Sequence, residues 1–186
     1  MIDIIITVVS IALSYYYTAF MHVFANPAPY KYIVVFIVSF LICWAALFIL
    51  FGIICVIISL PVNINKEYAG TSRFYTTLFG LMLEFAGFVS GARVIVNGRD
   101  KIPRKERFLF VSNHRSNYDP IIQCGEMKLQ PMAFISKRAN FRIPFIRRYM
   151  VRCRYIPLER KNMRNGAEAV MKAARMISSG QSCIGV

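Results

Sequence analysis

Charge is nearly missing from the first third of this chain. Residues 1–65 hold one acid, Asp3, and one base, Lys31. So bare a segment cannot supply the solvated surface of a soluble domain. Cysteine motifs are missing too. Cys43, Cys55, Cys124, Cys153 and Cys183 are odd in number and widely spaced, with no CxxC. That argues against a disulfide framework and against a zinc site, and it fits a reducing, cytosol-facing compartment. No basic segment precedes the first apolar stretch and no small-residue cleavage site follows it, so it does not read as a signal peptide. Internal repeats and low-complexity tracts are absent, as is any recognisable nucleic-acid reader motif.

What is present divides sharply. The chain has 186 residues, 56% of them apolar, and a formal net charge of +14. That apolar share exceeds the roughly 45–50% of soluble domains. Residues 66–186 carry the other 22 Lys/Arg and 8 Asp/Glu, and so the whole net charge. The expected plan is a membrane anchor over 1–65, an amphipathic linking helix over 66–90 and a basic domain over 91–186. Within the anchor, the stretch from Ile4 to Ala25 is uncharged, and "NPAPY" then forces a turn because two prolines cannot continue a helix. Tyr32 to Leu60 runs 29 residues without a charge. About 20 suffice to cross a bilayer, so this stretch tilts or bends at Gly52. The first stretch, diluted by His22 and hydroxyl residues, spans or lies partly re-entrant. Trp44 falls mid-span and is expected to pack. The basic domain follows Pro61 closely, which places it on the cytoplasmic side.

The linking helix puts Phe74, Leu78, Leu81, Phe85 and Phe88 near one face, with Thr71 as its N-cap. That face either packs into the domain or lies on the membrane surface. Beyond it, "ARVIVNG" (92–98), "FLFVS" (108–112), "PMAFIS" (131–136), "RYIPLER" (154–160) and "GQSCIGV" (180–186) read as strands. Helical segments begin at Ile121, around "FRIPFIRRYM" and over 165–179, the last with Ala167, Val170, Met171, Ala174 and Ile177 on one side. Short apolar strands alternating with helices predict an α/β fold.

The densest chemistry is "FVSNHRSNYDP", Phe110 to Pro120. His114 and Asp119 are five residues apart, which on a regular helix is about 140° of rotation, so they can meet only across a turn. A strand leads in, and Asp119-Pro120 is a good helix start, with Asp favoured as N-cap and Pro as first helical residue. One reading is a helix cap beside a hydrogen-bonded histidine. The other is a catalytic pair at the carboxyl end of a strand, where open α/β sheets place their sites. Both can hold, since a carboxylate has two oxygens.

"NHRSNYDP" resembles the NHX4D signature of the glycerolipid acyltransferases, most closely the 1-acylglycerol-3-phosphate (lysophosphatidate) acyltransferases. "GARVIVNGRDKIP", "ISKRANFRIPFIRRYM" and "RYIPLER" resemble the family's other blocks in order and spacing, over about 91–186. The resemblance implies that His114 is a general base taking the proton of the acceptor's hydroxyl, with no acyl-enzyme. It implies that Asp119 orients His114, and that Lys137 and Arg160, with Asn113 and Arg138 nearby, hold the acceptor phosphate. The donor would be acyl-CoA or acyl-carrier protein and the acceptor lysophosphatidate, with no cofactor and no metal. Glycerol 3-phosphate or another lysolipid is the alternative acceptor, and a non-catalytic protein binding anionic lipid is the alternative of another class. Ten of the 23 basic residues lie within 137–164. Beside an apolar anchor they suit membrane lipid headgroups better than nucleic acid. The family's next block, Phe-Pro-Glu-Gly-Thr-Arg, would begin where the sequence stops at Val186. The resemblance therefore implies an incomplete α/β acyltransferase domain, expected to turn over little as the 186-residue chain.

Overall fold

The computed structural model describes residues 2–25, 29–103, 106–113, 116, 118–130, 132–159, 163–180 and 183–186, the side chains of 23–25, 29 and 163 excepted. It divides into two units, Met1–Ile58 and Ser59–Val186.

In the first unit, hydroxyl side chains recur along helix α1 (Ile2–Ala25). Water is scarce beside so apolar a helix, and the hydroxyls bond to their own backbone instead. Thr7, Ser10, Ser14 and Thr18 each donate to the carbonyl four residues earlier at 2.7–2.8 Å. Ser10 and Ser14 are fully buried, as small residues are where apolar helices pack closely. Helix α2 (Pro29–Ser59) runs unbroken through Gly52. Trp44 does pack, donating through Nε1 to Thr7 Oγ1 at 3.3 Å and meeting Phe48 edge-on. His22 stacks on Tyr32 at 4.8 Å. Both helices are long and apolar enough to cross a membrane.

The second unit is an α/β domain. Its sheet is parallel, with order β1-β4-β2-β3, where β1 is Leu109–Phe110, β2 Met132–Lys137, β3 Ile156–Leu158 and β4 Cys183–Gly185. The connections carry α4 (Asp119–Glu126), α5 (Pro144–Arg152) and α6 (Met163–Ser178), with α3 (Arg73–Val89) ahead of them. Alternation along the strands serves two cores. Ala133, Ile156 and Ile184 meet Ala169, Ala173 and Met176 of α6. Met132, Phe134 and Cys183 pack with Cys124 of α4 and Leu83 of α3.

Three expectations are corrected. Residues 92–98 form no strand: Ile95 is 77% exposed and no ladder partner exists among the described residues. Alternation specifies two faces but not a neighbour to pair with. On α6 the buried stripe is Ala169, Ala173 and Met176, whereas Val170 and Met171 are exposed. The two alanines let the helix lie close to the sheet. The helix expected over 66–90 forms over Arg73–Val89, with Ser72 rather than Thr71 at its N-cap, and it buries Thr76, Phe79, Gly80 and Gly87. That stripe lies about 140° round the helix from Phe74, Leu81 and Phe88. Glycine explains the choice of face. A Cβ at Gly80 would lie 2.3 Å from Lys128 Cβ, and one at Gly125 would lie 3.1 Å from the Glu84 backbone. The crossing is closed by a largely buried ion pair, Lys128–Glu84 at 3.2 Å. Phe74 and Phe88 are left 59% and 52% exposed.

Candidate active site

Strand β1 ends at Phe110 and its pairing with β4 runs on a little further. Val186 N–H donates to Phe110 O at 2.9 Å and Ser112 N–H to Val186 O at 3.0 Å. The chain then leaves the carboxyl edge of the sheet into the polar turn. Two bonds fix the turn at its ends. Ser112 Oγ donates to Gln123 Oε1 of α4 at 2.9 Å, tying the strand end to the helix. Ser116 N–H donates to Asp119 Oδ2 at 3.0 Å. Within the turn, Tyr118 N–H donates to Ser116 Oγ and Asp119 N–H to Ser116 O.

Asp119 is the first residue of α4 and Tyr118 takes the N-cap position. The expected cap is thus displaced by one residue. The half-buried carboxylate reaches back to the Ser116 N–H, while its charge sits at the positive end of α4. His114 and Asn117 themselves lie outside the described residues, as does Arg160. Asn113 is described and exposed, immediately after the strand.

Lys137 is the last residue of β2 and Arg138 opens the following 3-10 turn, Arg138–Arg142; both are exposed. One strand, β4, separates β2 from β1. Two steps of about 4.8 Å put Lys137 roughly 10 Å along the sheet edge from the polar turn. All four strands are parallel, so Asn113, Asp119, Lys137 and Arg138 share one carboxyl edge. Arg138 also meets Glu159 beyond the end of β3 at 3.4 Å. The arrangement places a carboxylate-backed turn and, roughly 10 Å along the same edge, the cation of Lys137.

Burial pushes Cys124 and Cys153 up to about 12, despite hydrogen bonds from Tyr155 and Thr76. Among the described residues no group of three or more His, Cys, Asp or Glu is placed to hold a metal ion.

Sequence reasoning missed the segment 60–70. It is strapped to α5 by arginines that donate to its backbone carbonyls. Arg148 reaches Leu60 O and Val62 O at 2.8 and 2.9 Å, Arg154 reaches Ala69 O at 2.9 Å, and Arg152 reaches Gly70 O at 3.2 Å. Arg152 also lies over the Tyr68 ring at 4.7 Å. The basic density of 137–164 was the available signal, but nothing in it said which arginines turn inward.

A parallel α/β sheet carries an Asp-braced polar turn and two basic residues on its carboxyl edge, the end at which open α/β sheets place their sites. Residues 93–186 match the family model described as Acyltransferase, just over half of the chain, and the chain belongs to that family. It is similar to the 1-acyl-sn-glycerol-3-phosphate acyltransferase of Borreliella burgdorferi, 28% identical over 95 residues, covering 51% of this chain and 38% of the relative. It is also similar to the protein of the same name from Streptococcus pneumoniae, 28% identical over 101 residues, covering 54% of this chain and 38% of that relative. The chain thus spans about 38% of the length of the curated relatives it matches. No solved structure matches it.

Proposed function

We propose that the protein transfers an acyl group from a thioester, acyl-CoA or acyl-carrier protein, to the free hydroxyl of lysophosphatidate, giving phosphatidate for phospholipid synthesis. The observation that carries this reading is the match of residues 93–186 to the acyltransferase family with "NHRSNYD" at the carboxyl end of β1. In the proposed chemistry His114 takes the proton from the acceptor hydroxyl as that oxygen attacks the thioester carbonyl. The C–O bond forms, the C–S bond breaks, and the proton passes to the leaving thiolate. Asp119 orients the imidazole and offsets its positive charge in the transition state. Lys137 and Arg160 hold the acceptor phosphate, Arg160 by a two-pronged fork and Lys137 as a point charge, with Asn113 and Arg138 beside them. The reaction calls for no cofactor.

The protein is proposed to be membrane-embedded through α1 and α2, with the basic domain in the cytoplasm. Two helices able to cross a bilayer support this, as does the lysine and arginine excess that begins just after Pro61. The exposed aromatic face of α3, Phe74 and Phe88, fits contact with the bilayer surface.

His114→Ala in the complete gene product, assayed in membranes, tests the reading. A loss of about 10²–10⁴-fold in acyl transfer with membrane association unchanged is expected. Unchanged transfer would refute His114 as the base. A panel of lysophosphatidate, glycerol 3-phosphate and other lysolipids separates acceptors, and one of acyl-CoA and acyl-carrier protein separates donors.

A further inference from the structure

Helix α4 grips the polar turn at two places, and only one grip comes from the pair His114 and Asp119. Asp119 Oδ2 accepts from Ser116 N–H at 3.0 Å, and Gln123 Oε1 accepts from Ser112 Oγ at 2.9 Å. In the chain, Ser112 stands two residues before His114 and Ser116 two residues after it. Asp119 and Gln123 are four apart on α4, so they share one face of the helix about one turn from each other. We propose that Gln123 is a positioning residue for acyl transfer, holding Ser112 on the approach to His114 as Asp119 holds Ser116 on the far side; this rests on the reading of His114 as the base.

The Ser112 hydroxyl does not need Gln123 for its own satisfaction. Val186 O also lies within its reach at 3.3 Å, and Ser112 N–H already donates to that atom at 3.0 Å. A hydroxyl has one proton to give. Its direction toward α4, over the shorter distance, is therefore set by Gln123. Without Gln123 the proton turns back to Val186 O and the hydroxyl stays bonded. No buried group is orphaned, so the fold loses little. What is lost is the link between the end of β1 and α4. A bond of this kind serves geometry more than stability.

Gln123 is also mounted where α4 is held most firmly. Cys124 beside it is buried with Met132 and Phe134 of β2 and Cys183 of β4. Gly125 follows at the close crossing with α3, where an added Cβ would lie 3.1 Å from the Glu84 backbone. A supporting side chain fixes its target well when its own backbone cannot shift. Gln123 is neutral as well, and Asp119 is the one charged residue among 119–125. The second grip therefore braces the turn without adding a charge to compete with the Asp119 carboxylate for an imidazolium.

The test uses the complete gene product in membranes. Gln123→Met keeps the length and bulk of the side chain and removes the acceptor, and Ser112→Ala removes the donor. Each is expected to lower kcat about ten- to hundredfold, the effect of a small misplacement of a reacting group, with KM for acceptor and donor nearly unchanged. Both are expected to melt in detergent as the parent does. Where Gln123→Met melts early, Ser112→Ala decides, since it breaks the same bond from the other side. The double variant is expected to be no worse than the worse single one, because both changes remove one interaction. In a His114→Ala background, Gln123→Met is expected to leave the residual rate as it is. Parent-like kcat in the single variants, losses that multiply in the double variant, a rise in KM in place of the fall in kcat, or the same fold loss in the His114→Ala background overturns the proposal. If His114→Ala abolishes transfer while Gln123→Met and Ser112→Ala turn over like the parent, the base stands and the positioning role falls. If His114→Ala leaves transfer unchanged, both fall.

Discussion

Replacing Asp119 separates what its carboxylate does for the fold from what it does for chemistry. In the structure one oxygen, Oδ2, accepts from Ser116 N–H at 3.0 Å and ties Ser116 to the start of α4. Asp119→Asn keeps an oxygen in that place and removes the charge. The cost to stability is the difference between a charge-assisted and a neutral hydrogen bond, about 1 kcal/mol. Loss of the favourable carboxylate at the α4 N-terminus adds about 0.3–1 kcal/mol, reduced because the residue is half exposed. Asp119→Ala removes the acceptor altogether and should cost about 2 kcal/mol. If the fold were all that mattered, activity would follow these small losses, and below the melting transition Asp119→Asn would behave almost as the parent does. If the carboxylate orients the base, Asp119→Asn should lose about two to four orders of magnitude in acyl transfer while melting nearly as the parent does. Initial rates in membranes, set beside the thermal transition of the same protein in detergent, give both numbers. An Asp119→Asn protein within threefold of the parent rate would refute the orienting role and leave Asp119 a turn residue.

Other outcomes follow from the same coordinates. Gly80→Ala places a Cβ 2.3 Å from Lys128 Cβ and 3.1 Å from its Cα, so the α3–α4 crossing must open; a loss of about 1–3 kcal/mol in a denaturant melt is expected. Lys137→Ala should raise KM for a phosphate-bearing acceptor about tenfold with little change in kcat, since a phosphate contact is made equally in ground and transition states. The buried acids Cys124, Cys153 and Tyr155 hold their protons in the folded state to higher pH than in the unfolded chain. The unfolded chain therefore releases protons first, and stability present at pH 8 is lost as pH rises toward 12, by up to about 1.4 kcal/mol per pH unit for each thiol. Urea midpoints between pH 8 and 10.5 check this, and Cys124→Ala with Cys153→Ala should flatten the slope. At pH 8 a thiol near 12 is thiolate in only about one molecule in 10⁴, so alkylation of Cys124 and Cys153 should await unfolding.

Much of the fold was written plainly in the sequence, and the failures have one cause. The two apolar helices, the four strands of the sheet and helices α4 to α6 each announce themselves through local composition or period. What local pattern does not encode is the partner. Residues 92–98 alternate as a strand should, yet pair with nothing described. The apolar face of α3, Phe74, Leu78, Leu81, Phe85 and Phe88, leaves open whether it packs inward or meets a membrane; Gly80 and Gly125 permit the α3–α4 approach, so the stripe with Gly80 is buried and Phe74 and Phe88 stay exposed. Val170 and Met171 lose to Ala169 and Ala173 for the same steric reason. In the candidate site, the turn at the end of β1 and the position of Lys137 and Arg138 at the end of β2 were legible. The backward reach of Asp119 to Ser116 was not, because a side-chain rotamer leaves no trace in spacing.

The basic residues of 137–164 show how one stretch serves two structural ends. Read as composition they form a single cationic field. In the folded domain the β2–α5–β3 unit sorts them by direction. Arg148 and Arg152 turn to the carbonyls of segment 60–70 and donate to them, so they brace that segment while keeping their charge. Lys137 ends β2 at the carboxyl edge, Arg138 turns to Glu159 beyond β3, and Arg142 and Arg147 line the cavity of about 590 Å³ beside segment 64–68. Arg154 does both, at the cost of a left-handed backbone. Because α5 links β2 directly to β3, loosening the strap frees the helix that sets where these cations point. The net charge of +14 is therefore a poor measure of what this surface offers an anion. What counts is where the fold holds each guanidinium, because donating to a neutral carbonyl leaves its charge in place.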